Sequence, residues 1–235
     1  MANVFGTPLK RREDPRLITG NGNYTDDIQL PGMLFAAVLR SPHAHARIKR
    51  IDVSAAREAE GVAAVYTGQD LAGKMEPIPT AWLPPDSDMK TPAHPALAVD
   101  TVRYVGDGVA LVVADDRYSA RDALDLIEVE YEELPVSVSQ EEAMKDGAAQ
   151  LHEDVPNNLA FHWKAGEVPD EVFDQAEVSI RQRFNQQRLI PNPMEMRAAV
   201  ARYNPGSQEM TIWCTSQNPH IHRFILSGVL GIPES

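Results

Sequence analysis

A single side-chain amide near the end of the sequence is placed where it could bind a ligand. Gln217 follows a predicted strand over residues 209–213 and precedes a predicted helix. Asn218 suits the N-cap of that helix, and Pro219 suits its first position. The amide could donate a hydrogen bond to an oxygen ligand, while the N–H groups and dipole of the helix favour negative charge nearby. Gln217 is therefore the candidate binding residue.

The helix after Gln217 is predicted from its apolar spacing and from the residues that end it. Gly231 suits the position just past the helix, and Pro233 lies beyond it. The apolar residues at helical spacing are Ile221, Phe224, Ile225 and Val229.

Two histidines, His43 and His45, could form part of a metal site. If they lay in a strand, both side chains would share a face, and the two imidazoles could converge on one ion. No third ligand is close in the sequence, so we favour structural roles for both. On the predicted helix, His220 and His222 would point in different directions, which makes them weaker candidates.

Glu195 is the carboxylate with the most unusual surroundings. It lies in the apolar, proline-rich segment 191–197, just before a predicted strand, where burial could shift its pKa. We favour a structural hydrogen-bonding role for it. The acidic run over residues 128–133 is typical of a solvated strand face rather than of paired catalytic carboxylates. No Ser/His/Asp or Cys/His arrangement has a spacing that supports nucleophilic catalysis.

The composition excludes several classes of function. The 235 residues carry a formal net charge of −12, which argues against a nucleic-acid or anionic-membrane partner. The single cysteine, Cys214, allows no internal disulfide and no cysteine-built zinc or iron–sulfur site, and we interpret it as a buried structural thiol. No stretch approaches the ~18 apolar residues of a membrane span, and the N-terminus lacks an export signal, so we expect a cytoplasmic protein.

Apolar patterning predicts alternating strands and helices in the first part of the chain and mainly strands in the last part. Residues 1–30 read as an extended arm, residues 73–95 as a long loop with six prolines, and residues 136–170 as a weakly structured linker. Tight turns are predicted at 20–22 and 106–108. Helices are predicted over 55–59, capped by Ser54, and over 117–126, with Tyr118 among its core residues. Strands are predicted over 33–39, 46–53, 62–67, 102–105, 109–114, 127–131, 178–184, 198–203 and 209–214.

Several stretches, taken in order, resemble the molybdopterin-binding large subunit of the xanthine dehydrogenase/aldehyde oxidase family, in its carbon-monoxide-dehydrogenase-like branch. They cover essentially the whole chain, and the ordered set is more specific than any one motif. Two positions depart from the family pattern, because Asp107-Gly108 stands where Glu-Pro is usual and Met196 where Pro is frequent; both are tolerable in turns. The matching stretches are 12–20 with Tyr24 and Asp27, 31–34, 40–46, 102–106, 131–135, 193–195 and 216–220.

The resemblance implies an α/β (α+β) fold with a defined order of domains. An N-terminal arm at 1–15 would precede an α/β-hammerhead domain at 16–135. A linker at 136–165 would lead to an incomplete first molybdenum-binding domain at 166–235. The resemblance further implies that Gln217 matches the glutamine whose amide contacts an oxygen ligand of the molybdenum centre.

A cofactor and partners are implied in the same way. The complete subunit would bind molybdenum–molybdopterin, expected in its cytosine dinucleotide form, and would assemble with an iron–sulfur subunit and an FAD subunit. The parent reaction would be oxidative hydroxylation of an aldehyde, an N-heterocycle or carbon monoxide, with oxygen from water. The general-base glutamate would lie in the remainder of the large subunit, beyond Ser235, so no catalytic residue and no metal ligand is assigned, and we expect this chain alone to be inactive.

One alternative comes from a different class of function. The chain could be a non-catalytic hammerhead module, or the product of a decayed gene, that acts only as a structural or assembly partner.

Overall fold

The computed structural model describes residues 5–80, 83–85, 87–164, 166 and 169–234. The chain divides into two units, one comprising residues 1–32 and 183–218 and the other comprising residues 33–182 and 219–235. Helices and strands are both present, which confirms the predicted α+β class.

The described residues form eight strands and seven α-helices. The strands are β1 (Phe35–Arg40), β2 (Ala46–Asp52), β3 (Val62–Thr67), β4 (Thr101–Val102), β5 (Gly108–Ala114), β6 (Glu128–Glu133), β7 (Ala199–Asn204) and β8 (Glu209–Cys214). The helices are α1 (Asp14–Ile18), α2 (Ser54–Glu58), α3 (Gly68–Leu71), α4 (Arg117–Asp122), α5 (Gln140–Ala143), α6 (Asp170–Asp174) and α7 (Pro219–Leu230).

One sheet of the larger unit is built around β5, which pairs antiparallel with β1 on one side and β3 on the other. The sequence of β5, Gly-Val-Ala-Leu-Val-Val-Ala, is apolar throughout, as expected for a central strand. Val112 is fully buried in a core cluster that also includes Val65 and residues of α2 and of the segment after α4. The predicted strands at 33–39, 62–67 and 109–114 are thus confirmed within one or two residues.

The second sheet of this unit has the order β4–β2–β6, with both pairs antiparallel. Ala46 and Val102 are fully buried, and they form a smaller core cluster with Ala98 and Val109. The predicted strands at 46–53 and 127–131 are confirmed. The strand predicted at 102–105 is wrong beyond Val102, because the chain turns there: Asp107 accepts a hydrogen bond from the backbone N–H of Arg103 at 3.1 Å.

Two details of the predicted helices are wrong. Ser54 does not cap α2 but is its first residue; its backbone N–H donates to Asp52 Oδ1 at 3.0 Å, and Val53 occupies the N-cap. Tyr118 is 83% exposed rather than part of the core. The predicted helix over 117–126 forms as α4 followed by a 3₁₀ turn over Ala123–Leu126, and Asp116 caps it by accepting from the backbone N–H groups of Tyr118 and Ser119.

The proline-rich loop predicted over residues 73–95 contains no helix or strand in its described part. Its two ends are joined by a hydrogen bond from the backbone N–H of Ile78 to the carbonyl of His94, at 2.8 Å. The loop is also linked to α7, since the N–H of Glu76 donates to the carbonyl of Val229 at 2.9 Å.

The smaller unit contains the antiparallel hairpin β7–β8, with the predicted turn between Asn204 and Glu209. Residues 1–30 are not wholly extended as predicted, because α1 and a 3₁₀ turn at Thr25–Asp27 interrupt them. The strand predicted over 178–184 does not form; these residues have no strand partner in the described part of the chain, and a strand needs one for its backbone hydrogen bonds. No helix that the structure describes has both the length and the hydrophobicity to cross a bilayer.

Candidate functional site

Gln217 lies in the short connection between β8 and α7. The strand ends at Cys214 and the helix begins at Pro219, as the sequence predicts. Gln217 is exposed, and its side chain makes no hydrogen bond to any residue that the structure describes. The amide is therefore available to donate to an external acceptor. The assignment of Gln217 as a cofactor-binding residue stays a prediction.

Backbone and hydroxyl contacts fix the start of this connection. The N–H of Thr215 donates to the carbonyl of Ala198 at 3.4 Å, which extends the hairpin by one bond. Thr215 Oγ1 also donates to the carbonyl of Met196 at 3.4 Å. Closer to the glutamine, Ser216 Oγ accepts from the N–H of Asn218 at 3.1 Å. Hydrogen bonds thus fix the residues on both sides of Gln217, whereas its own side chain is not fixed by any described residue.

Glu195 is a structural hydrogen-bond acceptor in the same unit. Its Oε1 atom accepts from the backbone N–H of Thr25 at 3.2 Å and from Thr25 Oγ1 at 3.3 Å. Thr25 is 8% exposed, so these contacts fix the N-terminal 3₁₀ turn against the segment that precedes β7. The structural role favoured from the sequence is confirmed. The sequence alone could not identify Thr25 as the partner of Glu195, because 170 residues separate the two positions.

The two candidate metal-binding histidines have separate structural contacts. His43 and His45 lie in the turn between β1 and β2, not in a strand. His45 is buried, and its Nδ1 donates to the carbonyl of Pro135 at 2.7 Å. The ring of His43 lies 4.8 Å from that of Tyr131, and its Nδ1 is 3.6 Å from Glu133 Oε1. Among the described residues, no group of three or more His, Cys, Asp or Glu side chains could hold a metal ion.

The acidic run on β6 pairs with basic residues of β2. Glu132 Oε2 lies 2.9 Å from Lys49 Nζ and 2.9 Å from an Arg47 guanidinium nitrogen. The hydrogen bond and charge of Lys49, followed by those of Arg47, hold the pKa of Glu132 below its usual value. Glu128 and Glu130 are exposed. The run is thus a solvated, ion-paired strand face, as the sequence indicated.

Asp70 and His152 also have pKa values shifted by their surroundings. Hydrogen bonds from the backbone N–H and then the hydroxyl of Thr67 lower the pKa of Asp70, with help from the charge of Arg57. Burial lowers the pKa of His152, and the nearby charge of Arg103 lowers it further. Neither residue lies in the connection that holds Gln217, so both are features of the larger unit's stability.

Cys214, the last residue of β8, is half-buried and forms no disulfide. The predicted strand position is confirmed, although the thiol is less buried than expected.

Two family models match successive parts of the chain. The aldehyde oxidase and xanthine dehydrogenase a/b hammerhead domain matches residues 19–135. The molybdopterin cofactor-binding domain matches residues 151–235, which include Gln217. Together they account for most of the sequence.

Similar proteins include the large subunits of a dehydrogenase and a hydroxylase. The carbon monoxide dehydrogenase large chain of Afipia carboxidovorans is 40% identical over 98% of this chain and 29% of its own length. The nicotine 6-hydroxylase large subunit of Paenarthrobacter nicotinovorans is 38% identical over 99% of this chain and 28% of its own length. The reconstituted CO dehydrogenase structure from Oligotropha carboxidovorans matches with a TM-score of 0.86 and 39% identity, over 97% of this chain and 29% of that one. The chain thus spans less than a third of these relatives.

Proposed function

Because the chain belongs to the xanthine dehydrogenase/aldehyde oxidase family, we propose that it is the N-terminal portion of a molybdenum hydroxylase large subunit. The parent reaction in this proposal is oxidative hydroxylation of a carbon centre with water as the source of oxygen. The observation that carries the proposal is the match of a molybdopterin-binding domain to residues that include the connection between β8 and α7.

The residues in that connection fit an oxygen-bearing ligand. The Gln217 amide is a hydrogen-bond donor, it is exposed, and no described residue competes for it. When bound, a molybdenum–molybdopterin cofactor would supply the redox chemistry of oxygen transfer. The Gln217 amide would donate a hydrogen bond that orients the ligand oxygen and stabilises developing negative charge.

The finer points belong to the same proposal. We expect the cytosine dinucleotide form of the cofactor, an iron–sulfur subunit and an FAD subunit as partners, and a cytoplasmic location. The substrate is an aldehyde, an N-heterocycle or carbon monoxide; the relatives named above are described as acting on carbon monoxide and on nicotine. A general-base glutamate is expected in the remainder of the large subunit and is assigned to no residue of this chain.

The first test is the molybdenum content of the purified protein, produced together with the genes that neighbour its own. One molybdenum per chain in the assembled complex supports the proposal. An assembled complex that includes the remainder of the large subunit and still lacks molybdenum would contradict it and would favour the non-catalytic module.

A pair of glutamine variants then tests the assigned residue in the metal-loaded complex. Gln217→Ala is expected to lower turnover by about 10²-fold, the loss typical of one donor to developing charge. Gln140→Ala removes an exposed glutamine of α5 and is the matched control. Equal turnover in both variants would show that Gln217 does not act in the site, and it would leave the family assignment intact.

A further inference from the structure

One asparagine of the chain is followed directly by glycine, and this pair lies in the N-terminal segment of the smaller unit. The pair is Asn21-Gly22, at the turn predicted from the sequence over residues 20–22. The backbone nitrogen that follows an asparagine can attack the side-chain amide, and glycine hinders this attack least because it has no Cβ. Asparagine is among the thermolabile residues of proteins. The pair is therefore a candidate for a covalent change that the proposed function does not use.

The structure leaves both reacting groups of this pair accessible. Asn21 is exposed and lies outside the helices and strands, where its backbone N–H donates to the carbonyl of Arg16 at 2.8 Å. Its Nδ2 atom donates to Thr19 Oγ1 at 3.0 Å, in an exposed contact that is the one hydrogen bond of the side chain to a described residue. The N–H of Gly22 donates to no residue that the structure describes, so no hydrogen bond has to break before it reacts.

We propose that Asn21 is a site of spontaneous deamidation, in which the backbone nitrogen of Gly22 attacks the carbon of the side-chain amide. The nitrogen loses its proton, a C–N bond forms to Asn21 Cγ, and the bond between Cγ and Nδ2 breaks. The displaced nitrogen leaves as ammonia, which takes up the proton, and a cyclic imide remains. Water then opens the imide at either carbonyl, which gives aspartate or isoaspartate at position 21. No electrons are transferred, and water is the co-reactant.

Asn158 provides the contrast within the same chain. Its side-chain amide makes three hydrogen bonds to backbone groups, at 2.9, 2.9 and 3.0 Å. The N–H of the following residue, Leu159, donates to the carbonyl of Pro156 at 3.2 Å. Both reacting groups are thus engaged, and the leucine Cβ adds hindrance that glycine lacks. We expect Asn158 to persist while Asn21 reacts.

Conversion would change the contacts around position 21. A carboxylate has no N–H, so the hydrogen bond to Thr19 Oγ1 would be lost, and the net charge of −12 would become more negative by one. Isoaspartate would also lengthen the backbone by one carbon next to Gly22. A Cβ added to Gly22 would lie 3.1 Å from Leu17 Cδ2 and 3.2 Å from Tyr24 Cε2, so the backbone has little room to shift on that side. We therefore expect the N-terminal segment to pack less firmly in the product.

The test is incubation of the 235-residue chain at pH 7 and at pH 9, followed by peptide mass spectrometry of its asparagines. Peptides are produced at acidic pH, and an unincubated sample corrects for conversion during digestion. Asn21 is expected to convert at least about tenfold faster than Asn158, whose hydrogen bonds must break first. The rate at Asn21 is expected to be higher at pH 9, because the attacking nitrogen must lose its proton. Asn204 and Asn218 precede proline, which has no N–H, and are expected to stay unchanged.

Two variants and an unfolded sample separate the chemistry from the fold. Asn21→Gln keeps an amide, but attack would have to close a larger ring, so conversion at position 21 is expected to be lost over the same time. Asn23→Gln makes the same change at an exposed neighbour and is the matched control, with conversion at Asn21 unchanged. In urea, Asn21 is expected to convert at a similar rate as in the folded chain, whereas Asn158 is expected to convert faster once its hydrogen bonds are broken.

Each outcome decides the inference, which does not rest on the proposed function. Conversion of Asn21 in the folded chain that is lost in Asn21→Gln and kept in Asn23→Gln supports it. Conversion of Asn21 no faster than that of Asn158 in the folded chain overturns it. Conversion of Asn21 only in the unfolded sample also overturns it, because folding would then protect the pair.

Discussion

Strand β5 is apolar throughout and the segment 178–184 is apolar at alternate positions, yet only β5 is a strand. Strand β5 pairs along its length with β1 and β3, and Val112 at its centre is fully buried. The segment 178–184 has no such neighbour among the described residues, and Ile180 is 84% exposed. The comparison teaches that an alternating pattern specifies which face of a strand is apolar, whereas the partner decides whether the strand exists.

The largest effect is expected from crowding the packed region. A Cβ at Gly68, the first residue of α3, would overlap the carbonyl group of Ala98 and lie 2.9 Å from Val99 Cα. Since backbone cannot move aside cheaply, Gly68→Ala is expected to lower the free energy of unfolding by about 3 kcal/mol. Urea denaturation followed by circular dichroism measures it.

The matched variant is Gly228→Ala in α7, where an added Cβ meets nothing within 4 Å. Helix propensity predicts a gain of about 0.5–1 kcal/mol there. Stabilisation by both variants would show that the packing at Gly68 is looser than described.

A second pair of variants compares the two regions directly. Val112→Ala removes two methyl groups from a fully buried site and is expected to cost about 2 kcal/mol of unfolding free energy. Val178→Ala makes the same change at a site that is 74% exposed, and less than about 0.5 kcal/mol is expected. Similar losses in denaturant titrations would mean that 178–184 is packed in the isolated chain.

A smaller effect is expected at the capping box of α3. Asp70 Oδ2 accepts from the N–H of Thr67 at 2.8 Å and from its hydroxyl at 2.9 Å. Asp70→Ala is therefore expected to cost about 1 kcal/mol at pH 7, against little for Asp125→Ala at an exposed carboxylate.

The cost at Asp70 depends on pH in a defined direction. Because the pKa of Asp70 is lowered on folding, its contribution is present above the ordinary aspartate pKa of about 4 and is lost as pH falls through the folded value. Denaturation at pH 7 and at pH 3 should therefore show a smaller difference between wild type and Asp70→Ala at pH 3. If the stability difference between wild type and Asp70→Ala were the same at both pH values, the charge of the carboxylate would not be its cause.

The smallest effect concerns His152. Burial, followed by the charge of Arg103, lowers its pKa on folding, so its contribution is present above the ordinary histidine pKa of about 6.5 and is lost as pH falls. Wild type should lose more stability between pH 7 and pH 5 than His152→Gln, with Tm as the measurement. Parallel Tm profiles would show that His152 is not the source of the pH dependence.

Local patterns predicted the elements whose partners are close in the chain or central in the fold. The strands around Val112, the Asn204–Glu209 hairpin turn and the start of α7 at Pro219 follow from apolar spacing and from turn and cap residues. The exposure of Tyr118 was missed, because helical spacing alone does not identify the face that packs.

The position of Gln217 between a strand and a helix was predictable, while its supports were not. Thr215 reaches the carbonyl of Met196, a backbone atom that no side-chain pattern reveals. The ligand itself lies outside what local patterns can specify, since one amide donor suits many acceptors.

The glutamates of β6 disfavour pairing of this strand with the same strand of a second copy. Strand β6 is an edge of its sheet, so one side of its backbone has no strand neighbour among the described residues. Glu128 and Glu130 project from that edge strand, while Glu132 is tied to Lys49 and Arg47 of β2. If two such edges paired, carboxylates would lie opposite carboxylates across the two strands. This repulsion disfavours edge-to-edge pairing of the sheets of two copies.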